Sequence, residues 1–129
     1  MDIMWKYIKP LEHTSSVDDF LKKNSVKLPE TLVNLLKKYN GGRPSVKRVV
    51  TDTGREYVFK SLLSYNPYDK ETIQRLYPEI FGDTALFPIG SDSAGNFICF
   101  NTKSQSYVLY NHETGNAEEI VECPFLPQH

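Results

Sequence analysis

Between Leu86 and Val121 the chain alternates short apolar runs with short polar turns, and this rhythm narrows the available folds more than any other feature. "LFPIG", "FICFN", "YVLYN" and "AEEIV" are each of strand length, separated by "SDSAGN", "TKSQS" and "HETGN". Connections that short join antiparallel neighbours, because a parallel pair needs a crossover of roughly a dozen residues or more. The pattern therefore predicts an antiparallel meander. Its two middle strands are apolar on both faces: Phe97 and Cys99 oppose Ile98 and Phe100, and Tyr107 and Leu109 oppose Val108 and Tyr110. Helices are expected on one face. The other face is either covered by the chain itself or open to a partner.

The first half supplies the helices. Ser15 and Ser16 precede "VDDFLKK", where Ser16 with Asp19 resembles a capping arrangement and Asp18 and Asp19 suit the positive end of a helix ending near Asn24. In "LPETLVNLLKKYNGG", residues 28–42, Pro29 fits the first helical position. Leu32, Leu35, Leu36 and Tyr39 form one apolar stripe, and Asn40, Gly41 and Gly42 are residues able to end the helix with a positive φ. "VKRVVT" and "REYVFK" flank the turn "DTG", which predicts a hairpin with Tyr57 and Phe59 on one face. A further helix is expected from near Lys70, with Ile73, Leu76 and Tyr77 inward and a break or kink at Tyr77 before Pro78. The tail, residues 123–129, contains two prolines and is expected to be irregular.

With 129 residues, 40% hydrophobic and 24% charged, the chain reads as one domain able to build a core without staples. No apolar run approaches the ~20 residues that span a bilayer, and "MDIMWKYIKP" has no apolar signal-peptide segment. A cytoplasmic location with no membrane partner is the expectation, and Cys99 and Cys123 then read as two reduced thiols. Net charge is −1. Residues 1–78 carry 14 Lys and Arg against 9 Asp and Glu, whereas residues 79–129 carry Lys103 alone against 7 acids. Such asymmetry marks a polar interaction face, unless the halves mix in space.

Chemistry-bearing constellations are scarce. His13, His112 and His129 are scattered, no Cys/His spacing suits zinc, and no cofactor or metal is expected. "GSDSAGN" lacks the Gly-Lys-Ser/Thr of a phosphate loop and the spaced acids of a calcium loop, so Asp92, Gly95 and Asn96 read as turn residues. An enzyme reading rests only on His112–Glu113 and this turn. "KKYNGGRPSVKR" concentrates Lys37, Lys38, Arg43, Lys47 and Arg48 around Tyr39, a pattern that binds phosphate and stacks on bases. The acidic second half argues against a general nucleic-acid binder, and no direct nucleic-acid partner is expected.

Three blocks in order resemble the SUKH superfamily, the Syd/Knr-type group that includes Smi/Knr-like cell-wall regulators and small bacterial proteins. They are the Leu-Pro helix ending in Asn-Gly-Gly (Leu28, Pro29, Asn40, Gly41, Gly42); Pro88, Ile89, Gly90, Asp92, Gly95 and Asn96; and the strand Tyr107–Tyr110 followed by His112 and Glu113. The resemblance covers about residues 15–122 and departs in lacking the closing helix such domains carry. It implies a single α+β domain, helices packed against a mostly antiparallel (mixed) β-sheet, with mainly structural motif residues and no catalytic ones. It also implies a bacterial immunity protein that neutralises a cognate toxin, often a nuclease, by binding it; the other branch implies a regulatory scaffold of the cell-wall-synthesis type. Charge and position, not the family, nominate Asp83, Asp92, Glu113, Glu118, Glu119 and Glu122 as partner contacts, with Tyr107 and Tyr110 as aromatic anchors.

Overall fold

The computed structural model describes residues 2–127; His129 and the last part of the expected irregular tail lie outside the described residues. The chain is α+β, with its helices concentrated in the first two thirds. A two-residue strand β1 (Trp5–Lys6) is followed by helices α1 (Ser16–Lys23) and α2 (Glu30–Lys38), then a short strand β2 (Arg43–Pro44) pairs back on β1. The β3 (Arg48–Thr51) and β4 (Glu56–Leu62) strands form the expected hairpin. After α3 (Ile73–Leu76) come β5 (Leu86–Asp92), β6 (Phe97–Asn101), β7 (Ser106–Tyr110) and β8 (Ala117–Glu122). Each strand from β3 onward pairs antiparallel with the next, and β8 pairs with β3, so the sheet closes into a barrel.

Closure answers the question posed by the doubly apolar strands. Phe97, Ile98, Cys99 and Phe100 are all buried. On one face the cross-strand pair Phe97 and Tyr110 receives the Phe81 ring, at 5.5 and 5.2 Å between centroids. On the other, Phe100 meets Tyr107, and its β5 partner Phe87 packs on Phe20 of α1. After β8 no helix follows among the described residues. The irregular tail folds back instead, burying Phe125 and Leu126 and setting Phe125 against Phe59 at 4.3 Å.

The helices depart from expectation in instructive ways. Pro29 sits just before α2 as its cap, with extended ψ of 143°, rather than as its first helical residue. Its carbonyl accepts from the N–H groups of Leu32 and Val33. Ser15, not Ser16, caps α1, and its hydroxyl donates to Asp19 at 2.8 Å. The third helix begins at Ile73, where the Thr72 hydroxyl accepts from Gln74 N–H. It does not break at Tyr77, which keeps helical angles (φ −62°, ψ −54°), but widens into a π-helical turn, Tyr77–Phe81. The local preference against a helical residue before proline yields to packing, because this turn seats Tyr77 on Phe20 and Phe87, and Phe81 on the strands.

Gly90 shows how tightly β4 crosses β5. A Cβ at this position would lie 2.5 Å from Phe59 Cζ and 2.6 Å from the Ser61 carbonyl oxygen. The ladder bulges on both strands here, beside Pro88, whose missing N–H a regular ladder would not tolerate. Gly90→Ala is expected to cost about 1–3 kcal/mol in urea denaturation, because the overlap falls on backbone and a packed ring. Tyr65 offers the opposite case: its ring packs edge-on against Phe20, but its buried hydroxyl has no partner among the described residues. Tyr65→Phe keeps the ring and removes the orphan, so stability is expected to stay level or rise by about 1 kcal/mol; a clear loss would mean the hydroxyl is bonded in solution.

Candidate interaction surfaces

The nominated acidic residues do not gather on one free face. Asp92 is 2% exposed and engaged by its own turn, accepting from the N–H groups of Ala94 and Asn96 and from Asn96 Nδ2. Burial of that kind assigns it to the fold. On β8, Glu122 accepts from Arg48 Nη1 at 2.7 Å, and Arg48 also bonds Glu56 across the hairpin. Glu118 accepts from the hydroxyls of Thr53, Thr51 and Tyr57. The Thr53 bond leads, with Tyr57, Thr51 and the Arg55 charge, in holding the Glu118 carboxyl below its usual range despite some desolvation. The basic β3–β4 hairpin thus lies against the acidic last strand, and part of the charge asymmetry cancels where the halves meet. Glu113, Glu119 and Asp83 are exposed and make no ion pair among the described residues, in the β7–β8 turn, on β8 and after the π-helical turn; Glu119 accepts from the Ser106 hydroxyl at 3.3 Å.

The tyrosines are placed differently from anchors that stand on a surface. Tyr107 is half-buried and donates its hydroxyl to the Pro127 carbonyl at 2.9 Å, and burial pushes its phenol up to about 12. Tyr110 supports Phe81. The large exposed aromatics are instead Tyr7 and Tyr68, at 70% and 86%.

The motif residues are absorbed by the fold. Asn40 is buried and donates through Nδ2 to the Lys9 carbonyl (2.8 Å) and the Ser64 hydroxyl (3.1 Å), while its Oδ1 accepts from Tyr65 N–H (2.8 Å). Sequence reasoning expected a positive-φ helix terminator there; Gly41, at φ +68°, takes that role, and Asn40 works through its amide. Leu28 packs half-buried at the core margin, and Ile89 lies within it. Asn96 Nδ2 is committed to Asp92, so its Oδ1 is the acceptor for His112 Nδ1 at 3.1 Å, and the proton sits on that nitrogen. His112, its ring against Gly95, therefore ties one turn to the next. Cys99 and Cys123 are both free thiols, as expected, and burial raises both.

One concave feature was not legible in the sequence. Lys9, Gly41, Arg43, Lys60, Lys70 and Glu71 line a cleft of about 370 Å³. Within it Glu71 accepts from Lys60 Nζ at 2.8 Å and from the hydroxyls of Ser61 and Ser91. Lys60 and Glu71 also border a second cleft of about 300 Å³ that runs on past Arg75, Ser91 and Ser93. Among the described residues, no group of three or more His, Cys, Asp or Glu is arranged to hold a metal ion. No helix there is long and apolar enough to cross a membrane.

A scan against protein families matches residues 14–124 to SUKH_6, described as SMI1-KNR4 cell-wall. The chain belongs to this family. No curated protein and no solved structure gives a significant match. The SUKH_6 match begins two residues before α1 and ends two residues beyond β8, so it takes in both principal helices and the whole barrel.

Within this SUKH_6 domain, the Lys60–Glu71 pair is open to a pH test. Partial burial pushes Glu71 upward, but the Lys60 ammonium and the Ser61 and Ser91 hydroxyls outweigh it and hold the carboxyl below its usual range. A depressed folded-state pKa adds stability above the unfolded-state value that is lost as pH falls through the folded one. Glu71→Gln is therefore expected to be less stable than the parent at pH 7, with the gap closing as pH drops through and below the ordinary carboxylate range. Urea midpoints at pH 7 and pH 3 measure it; a gap that does not narrow between them would mean the loss is steric.

Proposed function

We propose that this domain is a non-catalytic, cytoplasmic protein-binding module that neutralises a toxin by direct contact. The observation that carries the reading is the family match together with the commitment of the motif side chains to the fold. Asn40 ties three segments together through its amide, Asn96 braces its own turn and accepts from His112 Nδ1, and Gly90 is required by backbone crowding. Side chains committed in this way serve the scaffold, and the choice of partner is then left to exposed surface. On this domain that surface includes the exposed carboxylates Glu113, Glu119 and Asp83, which complement a basic partner such as a nuclease and speed its approach.

The matched family's description names the cell wall, and the second reading is a scaffold that regulates cell-wall synthesis. Growth separates the two. Co-expression with the toxin encoded beside this gene is expected to restore growth and to yield a complex that survives gel filtration. No complex and no rescue, with altered cell-wall composition on deletion, favours the regulator.

Within the toxin reading, Glu113→Lys with Glu119→Lys tests the acidic contribution without touching the Glu118 and Glu122 bonds that brace β8. Association with the basic toxin is expected to slow about tenfold at low salt and to lose most of its salt dependence. Stopped-flow association rates across a salt series measure this. An unchanged rate removes these carboxylates from the interface.

A further inference from the structure

The cleft beside the Lys60–Glu71 pair carries a charge imbalance that the fold does not use. Its two acids are satisfied from within: Asp69 accepts from the Ser64 hydroxyl, and Glu71 from Lys60, Ser61 and Ser91. Lys9, Arg43 and Lys70 line the same cleft, are exposed, and make no ion pair among the described residues. They come from three stretches of chain that the Asn40 amide draws together by bonding the Lys9 carbonyl, the Ser64 hydroxyl and the Tyr65 N–H.

Two of these cations are already held in place. The Lys9 side chain lies on Gly41, its Cδ 3.1 Å from where a Cβ would stand, so a side chain at Gly41 would displace it. The Arg43 guanidinium lies 5.4 Å from the Tyr7 ring centroid, a cation–π contact that leaves its N–H groups able to donate. Tyr68 adds an exposed ring at the rim. Groups held before binding lose little freedom on binding, and this raises affinity.

We infer that this cleft binds an extended, acidic segment of a protein partner, its carboxylates held by Lys9, Arg43 and Lys70 and its apolar side chains by Tyr7 and Tyr68. Nucleic acid fits less well, because a phosphate on every nucleotide brings dense negative charge beside Glu71 and Asp69. A peptide can space its carboxylates with apolar residues between them, which suits separated cations beside two acids. The second cleft, continuing from Lys60 and Glu71 past Arg75, gives the segment length to lie along. This site is independent of the neutralisation reading, since it serves a partner of either proposed kind.

The test uses the full chain and two labelled probes, an acetylated hexapeptide alternating Glu and Leu and hexathymidylate, followed by fluorescence anisotropy at low salt. The peptide is expected to bind, and Lys9→Ala, Arg43→Ala and Lys70→Ala together to weaken it by at least about tenfold. Replacing Lys22, Lys23 and Lys27 by Ala removes the same charge from exposed positions outside the cleft, and is expected to change affinity by less than about twofold, as for screened distant charges. Should the cleft triple variant melt early, Lys70→Ala alone, at an exposed loop position, is expected to weaken binding about threefold. Failure of the parent to bind, equal losses in the two triple variants, or tighter binding of hexathymidylate overturns the inference.

Discussion

The buried amide of Asn40 is the joint on which the rest of the molecule hangs. Its three hydrogen bonds reach residues 31, 24 and 25 positions away in sequence, and they fasten the amino-terminal segment, the end of α2 and the loop after β4 to one point. The neighbouring backbone repeats the connection, with Leu62 N–H donating to the Gly42 carbonyl and Lys9 N–H to that of Asn40. A buried amide left without such partners costs roughly 1–3 kcal/mol for each unmet group. The β1–β2 sheet, the stacking of Trp5 on Tyr39 at 4.6 Å and the basic cleft are all consequences of this joint.

Closure of the sheet decides where recognition can take place. An open meander with two apolar strands at its centre would offer one of their faces to a partner. Pairing β8 with β3 withdraws most of that offer, since Phe97–Phe100 of β6 and Val108 and Leu109 of β7 are buried, with rings from α1, the π-helical turn and the strands themselves packed about them. What remains for partners is rim and loop: exposed acids at the β7–β8 end, and exposed cations and aromatics beside the 41–43 turn. The molecule is electrically two-sided at these places even though its net charge is −1.

Much of the fold could be read from local pattern because it is local in origin. The α2 stripe, the Asp-Thr-Gly hairpin and the four strands of the last third depend on neighbours a few residues away, and they appear where expected. The misreadings share a different origin. Tyr77 keeps its helical angles because Phe20 and Phe87 lie across the core from it, and nothing near Pro78 announces those partners. Glu118 and Glu122 look free in sequence, yet Thr51, Thr53, Tyr57 and Arg48 lie opposite them only after the barrel closes. The basic cleft draws on positions 9, 43, 60 and 70, whose spacing has no period. Sequence order puts Arg43 in a stripe with Lys37 and Arg48, but folding pairs Lys37 with Asp18 and Arg48 with two glutamates. Asn40 reads in sequence as a helix terminator, a backbone role, but matters for its side chain.

The contact between β3 and β8 also bears on how the molecule is made. Val50 pairs with Glu122 and Thr51 with Ile120, and the Phe125 that packs on Phe59 lies further along still. During synthesis the helices and the first hairpin emerge well before the strand that completes the ring. Until residues 117–126 leave the ribosome, β3 keeps one edge unpaired and Phe59 lacks its cover. A chain stalled or cleaved in that interval presents an open strand edge beside exposed aromatic surface, the combination most prone to aggregate and most readily held by chaperones.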